Sequence, residues 1–214
     1  MTEVHQGTSD PVSFAGGLLD QYRHVCAFVN SQDEMYQVLD PFVREGVTLG
    51  EKLLYFVDSA ERGNLVRHLR RIGLDMPALL EQRQCEVRTW SETYLHGGRF
   101  DQNEMLGLLD DVLLGPPSPR IRLVADMGWA AEQEGVNDLL IEFEARANFV
   151  HPKHGHVVIC VYDISRFGGD FVIDILRTHP MALIGGVLHV NPYFEPAAEF
   201  LEELRSRERR APYV

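Results

Sequence analysis

Nowhere in this sequence do apolar residues run on for the roughly 20 positions that a membrane-spanning helix requires, and the polar opening Met1 to Asp10 lacks the basic-then-apolar layout of a secretory leader. A cytoplasmic chain with no membrane partner is the expectation. Cysteine is scarce too. Cys26, Cys85 and Cys160 are odd in number, widely separated and set among apolar or β-forming neighbours, the pattern of reduced thiols on strands and not of a disulfide framework. Positive charge is in deficit, with 20 Lys and Arg against 32 Asp and Glu, a net charge of -12. The basic face that phosphate contacts demand is missing, so no direct nucleic-acid contact is expected. The basic run near the C-terminus, Arg205, Arg207, Arg209 and Arg210, reads as a solvated helix end.

Glycine is missing where nucleotide chemistry would need it. The loop after the first strand reads Asn30-Ser31-Gln32-Asp33-Glu34, with no glycine pair and no Lys followed by Ser or Thr. Backbone amides could not cradle phosphates there, and two carboxylates would repel them. The glycine pairs Gly97-Gly98 and Gly185-Gly186 do not open a helix directly after a strand, so neither supports a dinucleotide site. No enzymatic activity, cofactor or metal is expected. The loop His151-Pro152-Lys153-His154-Gly155-His156 offers three imidazoles, but without evident thiol or carboxylate co-ligands it reads as a connector.

What is present is one domain's worth of alternating pattern, 214 residues of which 45% are hydrophobic. Residues 1–20 read as a mobile tail, 21–207 as a single domain and 208–214 as a second tail. Strands are expected at 24–29, 52–57, 85–89, 121–125, 157–162 and 182–190. Between them lie helical stretches at 32–45, 60–72, 75 onward, 102–114, 132–149 and 170–177, with a last helix at 196–207. Gly115-Pro116-Pro117-Ser118-Pro119 reads as a rigid turn into the next strand. Ser31 with Glu34 three residues on has the spacing of a capping box. Strands separated by amphipathic helices imply right-handed crossovers, hence a doubly wound α/β fold with a mostly parallel central sheet.

In such sheets ligands lie at the carboxyl ends of strands. Asn30, Ser31, Asp58, Met127, Trp129, Tyr162 and Asp163 are therefore the candidate binding residues, with Trp129, Met127, Tyr162 and Asp163 closest to the ligand. A secondary polar site is drawn from His24, Cys26, Glu144 and His179. His24 and Cys26 share one face of a strand, and if the strands of His24 and His179 are neighbours, Glu144 or Asn148 on the preceding long helix could meet them. Glu142, Glu144 and Arg146 could form an ion network that packs that helix.

The order of several short signatures resembles the MEDS family, the methanogen/methylotroph sensory domain of dichloromethane regulators, which is itself similar to RecA/KaiC-like ATPases. They are His24-Val25-Cys26, Glu45-Gly46 through Tyr55, Leu69 to Gly73, Tyr94 to Asp101, Arg122 to Trp129, Phe143 to Asn148, Cys160 to Asp163, Thr178-His179-Pro180 and Asn191-Pro192. They cover about residues 22–204. The resemblance implies a degenerate phosphate loop, with 121–126 in the Walker B position, and a sensory role towards a small organic, hydrocarbon-derived ligand. With about 20 residues before the first strand and few after the last helix, no helix-turn-helix or kinase module is expected, so the signal would pass to a separate signalling or transcription-regulating protein. Self-association into a homo-oligomer is compatible with that kinship. The alternative is a ligand-free interaction adaptor in an anti-sigma-factor or two-component circuit.

Overall fold

The structure, a computed structural model, describes residues 10–113, 119–150 and 155–210. It is an α/β fold with a mixed sheet of seven strands, mostly parallel and flanked by helices. The chain opens on a small antiparallel hairpin, β1 (Val12–Phe14) and β2 (Gly17–Leu19). Then come β3 (His24–Val29), α1 (Gln32–Thr48), β4 (Lys52–Val57), α2 (Arg62–Arg71), α3 (Met76–Glu81), β5 (Cys85–Thr89) and α4 (Gln102–Leu113). The second half adds β6 (Ile121–Asp126), α5 (Asn137–Ala147), β7 (Val157–Asp163), α6 (Gly169–Thr178), β8 (Met181–Ile184), β9 (Val187–Val190) and α7 (Ala197–Arg210). The sheet order is β5-β4-β6-β7-β3-β8-β9, and only β9 runs antiparallel to its neighbour.

Side-chain alternation along these parallel strands divides the core in two. Val25, Ala27, Val29, Leu53, Tyr55 and Val57 point to one face and join the buried residues of α1, α2 and α3. Cys26, Phe28, Leu54, Phe56, Cys160 and Tyr162 point to the other face and join those of α4, α5, α6 and α7. Strands buried on both faces leave little polar patterning, which is why β3 and β7 are almost uniformly apolar in sequence.

Local chemistry fixes the element ends. Ser31 caps α1 by accepting from the Glu34 amide at 3.2 Å, while the Glu34 carboxylate reaches back one residue further than a capping box, to the Asn30 amide at 2.8 Å. Asp75 caps α3 through the Ala78 amide at 3.2 Å.

The expected N-terminal tail is corrected over its second half. Val12, Phe14 and Leu19 are buried, and Phe14 packs edge-on against Phe42 of α1 at 5.2 Å. The hairpin turn needs left-handed backbone at Ala15 and Gly16 (φ 47° and 76°). The single last strand is likewise two. Gly185 and Gly186, both at positive φ (58° and 77°), supply the tight reversal between β8 and β9. The long helix expected at 132–149 is a 3₁₀ turn, Gly128–Glu132, followed by the shorter α5. α7 continues to Arg210, into the expected C-terminal tail. Gly115 to Ser118 of the proline-rich turn, together with His151 and His154, fall outside the described residues.

Candidate functional site

The chain leaves β4 towards β5 through α2 and α3 on one face, and leaves β6 towards β7 through α5 on the other. Connections that depart from adjacent strands to opposite faces leave a crevice at their carboxyl ends. A cavity of about 40 Å³ lies there, walled by α1, α2, β4 and β6. Its apolar wall is built from Met35, Leu39, Tyr55, Val57, Leu65 and Val124, and its polar groups are Gln32, Asp40, Glu61 and Asp126. Tyr36 also lines it, stacked on His68 at 3.7 Å.

Asp126 ends β6 and is the least ordinary of these groups. Its Oδ1 accepts from the Gly128 amide at 2.9 Å, and Trp90 donates its indole N–H to the Asp126 carbonyl at 3.0 Å, tying the ends of β5 and β6 together. Burial pushes the carboxyl up to about 6, against the Gly128 hydrogen bond and the Arg166 charge, which favour the anion. Two polar ties cross from α1 to α2 beside the cavity. Gln32 Nε2 donates to Glu61 at 3.0 Å, and His68 Nε2 lies 2.7 Å from Asp40 Oδ1. Arg71 donates to His68 Nδ1 at 2.8 Å, so the ring proton is on Nε2 and points at Asp40.

The residues expected at the rim are scattered by the structure. Asn30 and Ser31 are exposed at the start of α1, where Ser31 is the helix cap. Asp58 accepts from the Ala60 amide at 2.9 Å, and Asp163 from the Ser165 amide at 3.0 Å, so both carboxylates hold local turns. Met127, Trp129 and Tyr162 are fully buried, at 0% exposure. Trp129 stacks on Tyr94 at 5.0 Å and against Phe100 at 4.7 Å in the core under α4 and α5, and its indole N–H has no hydrogen-bond partner among the described residues. As placed, these three side chains are core and do not face an open rim.

Of the four residues expected at the secondary polar site, His24, Glu144 and His179 are brought together, with Cys160 and not Cys26 as the thiol beside them. β3 lies between β7 and β8, so His24 at its start and His179 just before β8 are neighbours, with ring centroids 4.0 Å apart. Glu144 of α5 reaches down onto them. Its Oε2 stands 3.3 Å from His24 Nε2 and 3.6 Å from His179 Nε2, while its Oε1 accepts from Tyr162 at 2.8 Å. Burial alone would raise the Glu144 carboxyl; His24, His179 and the Tyr162 hydroxyl outweigh it and hold the group below its ordinary value.

The thiol that joins is Cys160, 3.6 Å from His24 Nε2 and 3.9 Å from Glu144 Oε2. Cys26, its register partner across β3 and β7, instead lies 3.7 Å from the Met181 carbonyl. Glu144 does not share a network with Glu142 and Arg146. Those two reach Gln102 of α4, at 3.1 and 2.7 Å. His156 is held by the backbone, accepting from the Ile121 amide and facing the Leu113 carbonyl, both at 2.9 Å.

A family model, described as the methanogen/methylotroph, DcmR sensory domain and abbreviated MEDS, matches residues 23–180. The chain belongs to the MEDS family. Among curated proteins, the transcriptional repressor DcmR of Methylorubrum extorquens (strain DSM 6343 / CIP 106787 / DM4) is 21% identical over 169 residues, 77% of this chain and 61% of that relative. The chain therefore spans about three fifths of the length of the curated relative it matches. The MEDS match takes in β3 through α6 and closes at Pro180, so it includes His24, Glu144, Cys160, His179 and every wall of the cavity. The hairpin and β8, β9 and α7 lie beyond it. No helix among the described residues is long and apolar enough to cross a membrane.

One group of residues in this MEDS domain escapes a reading of the sequence. Tyr36, Asp40 and Glu61 line the cavity from α1 and the turn before α2, and nothing in a helical apolar stripe says which turn will overhang a strand end. Asp126 closes an apolar run and stands in the expected strand-end loop; what singles it out is a half-buried carboxyl at the cavity wall, which only the packing reveals.

Proposed function

We propose that this MEDS domain is a sensory module that binds a small organic molecule in the cavity between α1, α2 and the carboxyl ends of β4 and β6, and reports its occupancy to a separate signalling or transcription-regulating protein. The cavity carries this reading. It sits at the reversal of strand order where doubly wound sheets take ligands, and it presents a carboxyl raised to about 6, Asp126, among apolar walls. Its size suits a molecule little larger than water unless α1 and α2 part. Asp40, Glu61 and Asp126 line it and, among the described residues, no Lys or Arg does, a setting that opposes a nucleotide's phosphates and favours a neutral compound. The loop Asn30–Glu34 supports the same conclusion and agrees with descent from a RecA/KaiC-like ATPase by loss of its phosphate loop.

The signal requires that the ligand bind two states unequally. The Gln32–Glu61 and His68–Asp40 ties join the two helices that wall the cavity, so a ligand that spreads α1 from α2 strains both and shifts the exposed faces of those helices. A thermal-shift panel of short alcohols, ketones, halogenated hydrocarbons and ATP tests the proposal, since a ligand that prefers the native state raises its melting point. A saturable rise with a small organic compound, absent with ATP and reduced in Asp126→Ala, is expected. The second reading, a ligand-free adaptor, is favoured by the burial of Met127, Trp129 and Tyr162; silence across the panel would give it the weight.

A further inference from the structure

The cluster beneath α5 gathers two imidazoles, a carboxylate and a thiol whose inner atoms converge on one point. His24, Glu144, Cys160 and His179 are all buried, and one ligand atom from each lies within 4.8 Å of the others. Hydrogen bonds on the outer side of each group decide what faces inward. Asn148 Nδ2 donates to the Thr178 carbonyl at 2.7 Å and the Glu144 carbonyl at 3.1 Å, which leaves Asn148 Oδ1 as the acceptor for His24 Nδ1 at 3.1 Å. His179 Nδ1 lies 2.9 Å from the Ile175 carbonyl. Both rings therefore carry a proton on Nδ1 and turn Nε2 towards Glu144 Oε2. Glu144 Oε1 is engaged by Tyr162, leaving Oε2 on the inner side.

From these contacts we infer that His24 Nε2, His179 Nε2, Cys160 Sγ and Glu144 Oε2 bind a divalent zinc-class metal ion in four-coordinate geometry. Ordinary zinc–ligand bonds place neighbouring donors of a tetrahedron about 3.3–3.7 Å apart. Four of the six separations here are 3.3, 3.6, 3.6 and 3.9 Å and the other two lie within 4.8 Å, so a modest contraction of the cluster brings it to that geometry. An imidazole fixed through Nδ1 by a carbonyl or amide oxygen is the outer support that metal-binding histidines use. The mixed nitrogen, sulfur and oxygen set favours zinc over magnesium or calcium.

Charge also balances. On binding, the Cys160 thiol gives its proton to solvent and its sulfur electron pair to the metal; one thiolate and one carboxylate then neutralise the dication, as full burial requires. With all four positions filled by protein, the ion pins α5 to β3, β7 and the α6–β8 turn and leaves no place for a substrate. This role is independent of the rim cavity, which lies across the sheet.

The test uses the full chain with no affinity tag, stripped by a chelator under reducing conditions and loaded with cobalt(II) or zinc(II). Expected are about one metal ion per chain by mass spectrometry, tetrahedral visible absorption with a thiolate-to-cobalt band, and a melting point raised by loading. Cys160→Ser loses the thiolate band, whereas Cys26→Ser, on the same face one strand away, keeps it. Binding below about 0.1 equivalent by the parent protein, or a thiolate band that survives Cys160→Ser, overturns the assignment. The cobalt spectrum of the parent alone decides the case if a variant fails to fold.

Discussion

The Asp126 carboxylate accepts a hydrogen bond from the Gly128 amide at 2.9 Å while its other surroundings are the buried, largely apolar wall of the strand-end cavity. One amide does not compensate for the lost hydration, so the folded-state value stands at about 6 against an ordinary 3.8. Between those values the folded protein holds a proton that the unfolded chain has released, so the contribution of Asp126 is fully present below pH 3.8, declines through that window and is gone above about 6. Asp126→Asn keeps the Gly128 bond and abolishes the loss. Urea unfolding at pH 4 should show little difference from the parent, and at pH 7.5 a gain for the variant of up to ~3 kcal/mol, at about 1.4 kcal/mol per pKa unit. Asp58 and Glu132 add to the rise and Arg166 opposes it, so Arg166→Gln should widen the gap.

Trp129 follows a strand, a position that points to the ligand, yet the structure buries it completely between Tyr94 and Phe100. Removing a ring of this size from a packed core costs about 3–5 kcal/mol. Trp129→Ala should therefore lose stability on that scale in chemical denaturation, whatever its ligand response. A variant within about 0.5 kcal/mol of the parent, the ordinary range for a surface change, would place the ring outside the core.

Phe14 belongs to a segment whose sequence, rich in Gly, Ser and Asp, reads as tail. It is nonetheless 2% exposed and set against Phe42. Phe14→Ala should destabilise by about 3 kcal/mol, and protease digestion should then open the chain before α1; unchanged stability would return the hairpin to the status of an appendage.

Arg122 is the one fully buried cation among the described residues. Its guanidinium donates to Glu51 at 2.5 Å, Glu45 at 2.9 Å and the Phe42 carbonyl at 2.5 Å, and lies over the Phe42 ring. Gly46 makes room for it, because a Cβ there would stand 2.7 Å from Arg122 Cδ. Breaking such a pair from one side strands the partner charge and costs about 3–5 kcal/mol. Arg122→Ala is expected to fall in that range, and Gly46→Ala to cost about 1–3 kcal/mol through overpacking. A neutral result for both would show that the guanidinium can reorganise.

The fold is legible because its signals are local. β3 and β4 are apolar runs of strand length after their first residue, β5 alternates apolar residues with Glu86 and Arg88, and the bounds of all three agree with the expected ones residue for residue. The β8–β9 hairpin is hidden because Gly185-Gly186 can be weighed as a nucleotide motif as readily as a reversal. Sites depend on which strands become neighbours, and that is a property of the crossovers. The adjacency of β3 with β7 and β8 brings His24, His179 and Glu144 together, as the sequence allows. Cys26 and Cys160 are indistinguishable by local context, and only the structure shows that Cys160 faces Glu144. Rim residues such as Met127 and Tyr162 rest on chain position alone, and packing under α5 and α6 takes them into the core.

The cavity as the ligand site is best tested by methyl-resolved nuclear magnetic resonance of the full chain, titrated with the compound that gives the largest thermal shift. Methyl signals of Leu39, Val57, Leu65, Leu69 and Val124, which line the cavity, should move together and saturate, while those of Leu140 and Ile141 on the opposite face of the sheet stay in place. Shifts confined to the opposite face, or none in the cavity at saturation, would contradict the account.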